Sequence, residues 1–209
     1  MTKFLFQGDS ITDCGRDRND IHNLGQGYPL IMASEFLKEH KGEFEFLNTA
    51  ISGNRSVDLY ARMKEDLINL KPDYVSVLIG VNDVWHEFDR GAGVGTARYE
   101  MIYNMLISSV NERLPETKMF VLEPFVLKGI ATSEHWEDFN RRVRKHAEAA
   151  KKTAEDNGVV FVPLQEEFDR LSADGDTAYW LRDGVHPTYA GHQVIKEKLT
   201  EAFLSALDG

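Results

Sequence analysis

The chain has 209 residues, of which 42% are hydrophobic and 28% are charged, and its formal net charge is −10 at pH 7. This balance is typical of a folded globular protein, and the length predicts a single domain over residues 1–209. The negative charge repels polyanions, which argues against nucleic acid and anionic membrane surfaces as partners and favours neutral small molecules.

The sequence implies neither a metal nor a cofactor. Cys14 is the single cysteine, so it cannot form an intramolecular disulfide, and no Cys and His residues have the spacing of a zinc site. Only residues 1–3 precede the first apolar run, which leaves no room for a signal peptide, and no apolar run approaches the roughly 20 residues of a membrane span. We therefore expect a cytoplasmic protein.

Five short apolar runs alternate along the chain with five longer segments of helical spacing. The predicted strands are 4–6, 44–47, 74–79, 119–122 and 159–162. The predicted helices are 28–40, 57–70, 97–114, 137–157 and 189–207, and Thr188 is placed to cap the last of them. This alternation predicts an α/β fold: a three-layer α/β/α sandwich around a five-stranded parallel sheet, of the flavodoxin-like kind.

Polar residues and glycines follow three of the predicted strands. Ser10 comes directly after the first strand, Gly53 shortly after the second, and Asn82 shortly after the third. Taken singly, each segment is more often an ordinary turn than a site. The carboxyl ends of parallel strands meet at one edge of a sheet, however, so we expect these three residues to share a crevice there.

A further pair near the C-terminus supplies the remaining groups of a nucleophilic site. Asp183 precedes His186 by three residues, which allows its carboxylate to turn back within one loop and accept a hydrogen bond from the imidazole. A histidine held in this way can take the proton of a serine hydroxyl. Four unrelated turns need not bring their polar residues to one crevice. The segments of Ser10, Gly53 and Asn82 together with this pair therefore predict a serine hydrolase.

The arrangement resembles the SGNH hydrolases, the Gly-Asp-Ser-Leu type of esterases and lipases. Four blocks carry this resemblance in order along nearly the whole chain: Gly8-Asp9-Ser10-Ile11, Ser52-Gly53-Asn54, Gly80-Val81-Asn82-Asp83 and Asp183-Gly184-Val185-His186. Ile11 replaces the leucine of the first block, a conservative apolar change. The resemblance implies the SGNH hydrolase fold, Ser10 as nucleophile, and Gly53 and Asn82 as oxyanion donors.

Two longer stretches, 6–16 and 79–85, look like the bacterial SGNH esterases that remove acetyl groups from xylan-derived sugars. This resemblance implies a small-molecule ester as substrate, an acetylated oligosaccharide in particular, and a homo-oligomer. The polar segment 14–26 is placed to wall one side of the pocket and contains no long apolar stretch to hold a fatty chain. The sequence therefore predicts an esterase for small acyl groups.

Four residues next to the motifs are candidate substrate contacts: Asp9, Arg55, Trp85 and Trp180. The two tryptophans could equally be core or subunit-contact residues, and Arg55 could be solvated. A lysophospholipase or thioesterase for longer acyl chains, and a ligand-binding α/β domain without catalysis, remain open as alternatives. A nucleotide- or flavin-binding domain is disfavoured, because the first turn lacks a glycine-rich phosphate pattern and carries acidic Asp9.

Overall fold

In a computed structural model of the protein, which describes residues 1–207, the centre is a sheet of five parallel strands. These are β1 (Thr2–Gly8), β2 (Phe44–Asn48), β3 (Tyr74–Leu78), β4 (Lys118–Leu122) and β5 (Val160–Val162). Their order in the sheet is β2-β1-β3-β4-β5, with Phe4 of β1 paired to Phe46 on one side and to Tyr74 on the other. The predicted five-stranded parallel sheet is confirmed.

Nine α-helices are formed within residues 1–207. They are α1 (Ser10–Asp13), α2 (Tyr28–Glu39), α3 (Ser56–Asp66), α4 (Val81–Arg90), α5 (Thr96–Arg113), α6 (Trp136–Asp156), α7 (Gln165–Leu171), α8 (Thr177–Trp180) and α9 (Tyr189–Leu207). Short 3-10 turns occupy Ile68–Leu70 and Ser133–His135. No helix in this part of the chain combines the length and the apolar character needed to cross a bilayer.

Helices cover both faces of the sheet, as the predicted three-layer sandwich requires. Successive residues of β1 point to opposite faces, and Phe4 and Leu5 are both fully buried. Phe4 packs against Phe203 of α9, with ring centroids 4.9 Å apart, in a core that also contains α2. Leu5 belongs to the core on the other face, where Tyr103 of α5 lies beside side chains from α3 and α6.

Most predicted boundaries agree with the structure to within two residues, and two differences are larger. The predicted helix 57–70 ends early, because α3 stops at Asp66 and a separate 3-10 turn follows, closed by Lys71 in a left-handed conformation (φ 49°). The short helices α1, α4, α7 and α8 were not predicted, since segments of 4–10 residues carry too few turns for a clear apolar period.

The strand order places a topological switch between β1 and β3. The chain leaves β1 for β2 on one side and later returns to β3 on the other side. Ligand sites in open α/β sheets lie beyond the carboxyl ends of the strands at such a switch. Ser10 follows β1 and Asn82 follows β3 at this edge, so the fold brings two of the predicted site residues together.

Candidate active site

Ser10 lies at the turn from β1 into α1, since β1 ends at Gly8 and α1 begins at Ser10. Its side chain is only partly buried, and its hydroxyl donates to His186 Nε2 at 2.9 Å. Ser10 is the first residue of α1, so its backbone N–H has no partner within the helix. The residue therefore presents both a hydroxyl and a free amide to the crevice.

His186 is oriented by Asp183 three residues earlier. Its Nδ1–H donates to Asp183 Oδ2 at 2.7 Å, which fixes the tautomer with Nε2 unprotonated and able to accept the Ser10 proton. Burial alone would raise the pKa of Asp183. The hydrogen bonds from the His186 ring and from the backbone N–H groups of His186 and Val185 outweigh burial and lower this pKa to about 2. Asp183 is thus a carboxylate throughout the neutral range.

The loop that carries Asp183 and His186 is held at both ends. Leu181 and Pro187 form an antiparallel bridge at its base, and the side chain of Thr188 accepts from Gly191 N–H at 3.3 Å, capping α9 as predicted. The connection between β4 and α6 contacts the middle of this loop, where the Ala131 N–H donates to the Asp183 carbonyl at 3.0 Å. These contacts hold the side chains of His186 and Asp183 in a fixed position relative to Ser10.

Gly53 and Asn82 bring two further donors to the same edge. Gly53 has a left-handed backbone (φ 83°) that only glycine adopts readily, and a Cβ there would meet no heavy atom within 4 Å, so its surroundings are open. Asn82 Nδ2 donates to the Asn54 carbonyl at 3.1 Å, which orients the amide and leaves its second N–H free. With the Ser10 amide, these groups can bind an oxygen that carries negative charge.

Asp83 is a supporting residue whose role the sequence did not indicate. Its carboxylate is almost fully buried and accepts hydrogen bonds from the Ser56 hydroxyl and backbone N–H, the latter at 3.0 Å. These bonds tie the start of α4 to the start of α3, and so hold Asn82 beside Gly53. Its position directly after Asn82 is the only sequence signal, and an Asn-Asp pair is also typical of turns.

Asp9 is not at the substrate surface, which corrects the expectation that it contacts substrate. Its side chain is 0% exposed and caps α1, with Oδ1 accepting from Ile11 N–H at 3.0 Å. The other oxygen, Oδ2, is buried without a hydrogen-bond partner in the described chain. Burial raises the pKa of Asp9 to about 7 despite the hydrogen bond from Ile11 and the nearby charge of His186.

This burial predicts a pH-dependent stability for Asp9→Asn. The folded pKa of about 7 lies above the ordinary value of 3.8, so the unfolded chain releases the Asp9 proton first and stability is lost as pH rises between these values. The variant has no ionisable group at position 9. We therefore expect the difference in unfolding free energy, variant minus wild type, to increase by about 2–4 kcal/mol from about pH 4 to pH 8. Urea unfolding at both pH values measures this change.

Glu148→Gln is the matched control for Asp9→Asn, because Glu148 is exposed on α6 and its substitution changes the charge by the same amount. If the Asp9→Asn and wild-type stabilities stay parallel with pH while the Glu148→Gln control behaves normally, Asp9 is not a buried titrating group.

The other three predicted substrate contacts are Trp85, Arg55 and Trp180, and each lies in different surroundings. Trp85 lies beside the site, with its ring centroid 5.6 Å from that of His186. Arg55 is only partly buried but is already held by neighbouring groups, since its guanidinium pairs with Asp58 at 2.9 Å and donates to the Ala92 carbonyl.

Trp180 does not line the pocket beside Ser10 formed by the described residues. Its indole N–H donates to the Leu171 carbonyl at 3.1 Å and its ring packs edge-on against Tyr179. Half-buried Trp180 is thus held by contacts with Leu171 and Tyr179, and its role as a substrate contact stays a prediction.

A pocket of about 310 Å³ opens directly beside Ser10 and His186. As predicted, the segment 14–26 contributes to its wall, through Cys14, Gly15 and Gln26, and Arg182 and His192 face it from the other side. Larger clefts of about 390 and 460 Å³ lie elsewhere, the first between α4, α5 and α6 and the second between β5 and α9, and neither contains Ser10 or His186. The candidate active site therefore lies at the smaller pocket.

Residues 1–207 contain no group of three or more His, Cys, Asp and Glu side chains placed to hold a metal ion.

Known proteins share this sequence pattern and this fold. The profile of the GDSL-like lipase/acylhydrolase family matches residues 6–194. An acetylxylan esterase from Geobacillus stearothermophilus is 36% identical over 204 residues, which cover 92% of this chain and 90% of that protein. A crystal structure of an acetylxylan esterase from the same organism superimposes with a TM-score of 0.85 at 32% identity, covering 96% of this chain and 93% of the other.

A second crystal structure, described as that of a GDSL-like lipase from Parabacteroides merdae, superimposes with a TM-score of 0.90 at 36% identity and covers 96% of this chain and 94% of the other. The chain belongs to the GDSL-like lipase/acylhydrolase family. It is a carboxylic ester hydrolase with the α/β/α fold of that family.

Proposed function

We propose that this hydrolase removes acetyl groups from acetylated sugars, with Ser10 as nucleophile, His186 as general base and Asp183 as the carboxylate that orients the histidine. The observation that carries the proposal is the continuous hydrogen-bond chain from Ser10 Oγ to His186 Nε2 at 2.9 Å and from His186 Nδ1 to Asp183 Oδ2 at 2.7 Å. A serine hydroxyl needs such a base, because it is a weak nucleophile at neutral pH.

In the first half-reaction, Ser10 Oγ attacks the ester carbonyl while His186 Nε2 accepts its proton. Asp183 stabilises the imidazolium that forms. The negative charge that develops on the carbonyl oxygen is bound by the backbone amides of Ser10 and Gly53 and by the side chain of Asn82. His186 then protonates the leaving alcohol, and the acetyl group remains on Ser10 as an ester.

In the second half-reaction, water replaces the alcohol. His186 takes a proton from the water as its oxygen attacks the acetyl carbonyl, and the same donors bind the second oxyanion. Collapse of this intermediate returns the proton from His186 to Ser10 Oγ and releases acetic acid. The enzyme is restored, so one ester bond is exchanged for one molecule of water.

Asn82→Ala is expected to lower kcat by about two to three orders of magnitude, because losing one oxyanion donor typically costs about 3–4 kcal/mol of transition-state stabilisation. Steady-state hydrolysis of p-nitrophenyl acetate measures the effect. Asn111→Ala, on an exposed position of α5, is the matched control and should retain wild-type turnover. Near-unchanged turnover in Asn82→Ala would remove Asn82 from the mechanism.

Three features support a small acyl group on a sugar. Polar groups from Gln26, Arg182 and His192 line the pocket, which suits hydroxyl-bearing alcohols better than a fatty chain. Trp85 offers an aromatic ring beside His186, and such rings pack well against sugars. The similarity to an acetylxylan esterase points the same way.

The experiment that tests this function compares rates on p-nitrophenyl esters from acetate to palmitate, with acetylated xylo-oligosaccharides run in parallel and Ser10→Ala as control. We expect a preference for acetate together with release of acetate from the oligosaccharides. A preference for long chains would instead favour the lysophospholipase or thioesterase alternative. Absence of hydrolysis of every ester would favour a binding protein.

A further inference from the structure

Arg182 projects from the catalytic loop at the mouth of the pocket. Its backbone N–H donates to the His186 carbonyl at 3.0 Å, so the residue is anchored directly to the loop that carries the base. The side chain is exposed, and its guanidinium has neither an ion pair nor a hydrogen bond with any group of residues 1–207. By contrast, Arg18 and Arg55 in neighbouring loops are paired with carboxylates.

No other side chain that lines this pocket carries a permanent charge. Tyr28 N–H donates to His192 Nδ1 at 3.2 Å, so neutral His192 keeps its proton on Nε2, 3.4 Å from Cys14 Sγ. Burial, together with the charge of Arg182, lowers the pKa of His192 to about 4, and burial raises the pKa of the Cys14 thiol. Both groups are therefore uncharged at neutral pH.

Two carboxylates close to the pocket are already held by other partners. Asp183 accepts from the His186 ring and from two backbone amides. Asp13 pairs with Arg18 at 2.7 Å and also accepts from the Ser52 and Gly15 amides. The hydrogen-bond partners of both carboxylates are thus other groups, and Arg182 remains an exposed cation at the mouth of a pocket in a protein whose net charge is −10.

We propose that Arg182 is a specificity-determining residue that favours acetyl esters whose alcohol carries a carboxylate, of which acetylated acidic sugars are the class that fits this site. The inference rests on the proposed function and deepens it. A guanidinium binds a carboxylate through two parallel hydrogen bonds, which an ammonium cannot reproduce.

The alcohol, rather than the acyl group, is the part that reaches Arg182. An acetyl methyl needs roughly the volume of one water molecule, about 30 Å³. The pocket of about 310 Å³ therefore has room for a sugar-sized alcohol, and its mouth is where Arg182 lies. The negative net charge of the protein repels anions at long range, so a local cation is needed to accept an acidic substrate.

The test uses two esters of nearly equal shape, para-acetoxybenzoate and para-acetoxybenzamide, which differ in the charge of the alcohol. The measured quantity is the ratio of their kcat/KM values in the wild type, Arg182→Gln, Arg182→Lys and Arg182→Glu. We expect the ratio of benzoate to benzamide to fall about fivefold in Arg182→Gln, to fall further in Arg182→Glu, and to be partly restored in Arg182→Lys. Added salt should weaken the wild-type preference.

Arg113→Gln is the matched control, since it removes the same charge at the opposite end of the sheet. Arg113 ends α5 and lies beside Asp73, which directly precedes β3. An unchanged ratio in this variant, with a lowered ratio in Arg182→Gln, assigns the preference to the site and not to net charge. If Arg182→Gln lowers kcat/KM equally for para-acetoxybenzoate and para-acetoxybenzamide, the proposal is overturned.

A second pair of substrates tests the sugar itself: methyl glucuronoside and methyl glucoside, each acetylated at the same position. We expect the preference for the glucuronoside to fall in Arg182→Gln, and an unchanged ratio would overturn acidic sugars as the class. If the wild type hydrolyses none of these esters, or if Ser10→Ala hydrolyses them equally well, the proposed function fails instead. The two failures are therefore distinguishable.

Discussion

Ser10→Ala is expected to lower kcat for acetyl esters by about six orders of magnitude, because removing the serine of a triad eliminates the covalent route and leaves only binding and oxyanion contacts. The pocket wall is unchanged by the loss of one oxygen atom, so acetate and sugar products should still bind. Steady-state rates on p-nitrophenyl acetate, corrected for the uncatalysed reaction, measure the change.

Ser34→Ala is the matched control for this substitution. Ser34 is exposed on α2, and its hydroxyl donates only to the Leu30 carbonyl within its own helix. Wild-type activity in Ser34→Ala and loss of activity in Ser10→Ala would assign the effect to the site. Substantial hydrolysis by folded Ser10→Ala would mean that another group attacks the ester.

Asp183→Asn is expected to lower kcat by about four orders of magnitude, as carboxylate-to-amide changes do in such triads. An amide at this position can donate a hydrogen bond to His186 Nδ1, which then holds the proton on Nε2 and prevents that nitrogen from accepting the Ser10 proton. The rate on p-nitrophenyl acetate measures this loss. Asp174→Asn, at an exposed position before α8, should leave the rate unchanged.

A double variant separates this explanation from a general loss of structure. If Asp183 acts only through His186 and Ser10, then adding Asp183→Asn to Ser10→Ala should cost almost nothing further, since triad residues act as a unit. Full additivity of the two losses would show that Asp183 contributes by a route independent of Ser10. Urea unfolding of each variant shows whether the protein remains folded.

Much of the fold followed from the alternation of short apolar runs with longer amphipathic segments. Central strands such as β1 are buried on both faces, so their apolar runs are continuous and easily recognised. Helices α5 and α6 are long enough to show an apolar stripe over several turns. The short helix α4 was missed, because its first turn contains Asn82 and Asp83, which are also typical turn residues.

The residues of the site were predicted from motifs, whereas their surroundings were not. Strand ends meet at one edge of a parallel sheet, so the spacing of Ser10 and Asn82 along the chain was informative. Whether a neighbouring side chain points inward or outward depends on three-dimensional packing. Asp9 turns into the core as a helix cap, whereas Arg182, next to Asp183, extends to the pocket mouth. Neither orientation can be read from one sequence.

The coupling between the two carboxylates under the site is a property of the folded arrangement. Burial raises the pKa of Asp9 to about 7, and burial together with the nearby charge of Asp9 raises the pKa of Asp83 to about 7. Asp9 caps α1, which begins at Ser10, and Asp83 ties α4 to α3 beside Asn82. The segments that carry Ser10 and Asn82 are thus each held by a buried carboxyl group whose pKa lies above its ordinary value.

The measurement that tests the account most directly is mass spectrometry of the protein quenched within the first turnovers of p-nitrophenyl acetate hydrolysis. The account predicts an intermediate heavier than the free protein by one acetyl group, with the modification on the peptide that contains Ser10 and absent from Ser10→Ala. Acetylation of a different residue during turnover, or rapid hydrolysis by Ser10→Ala under the same conditions, would contradict it.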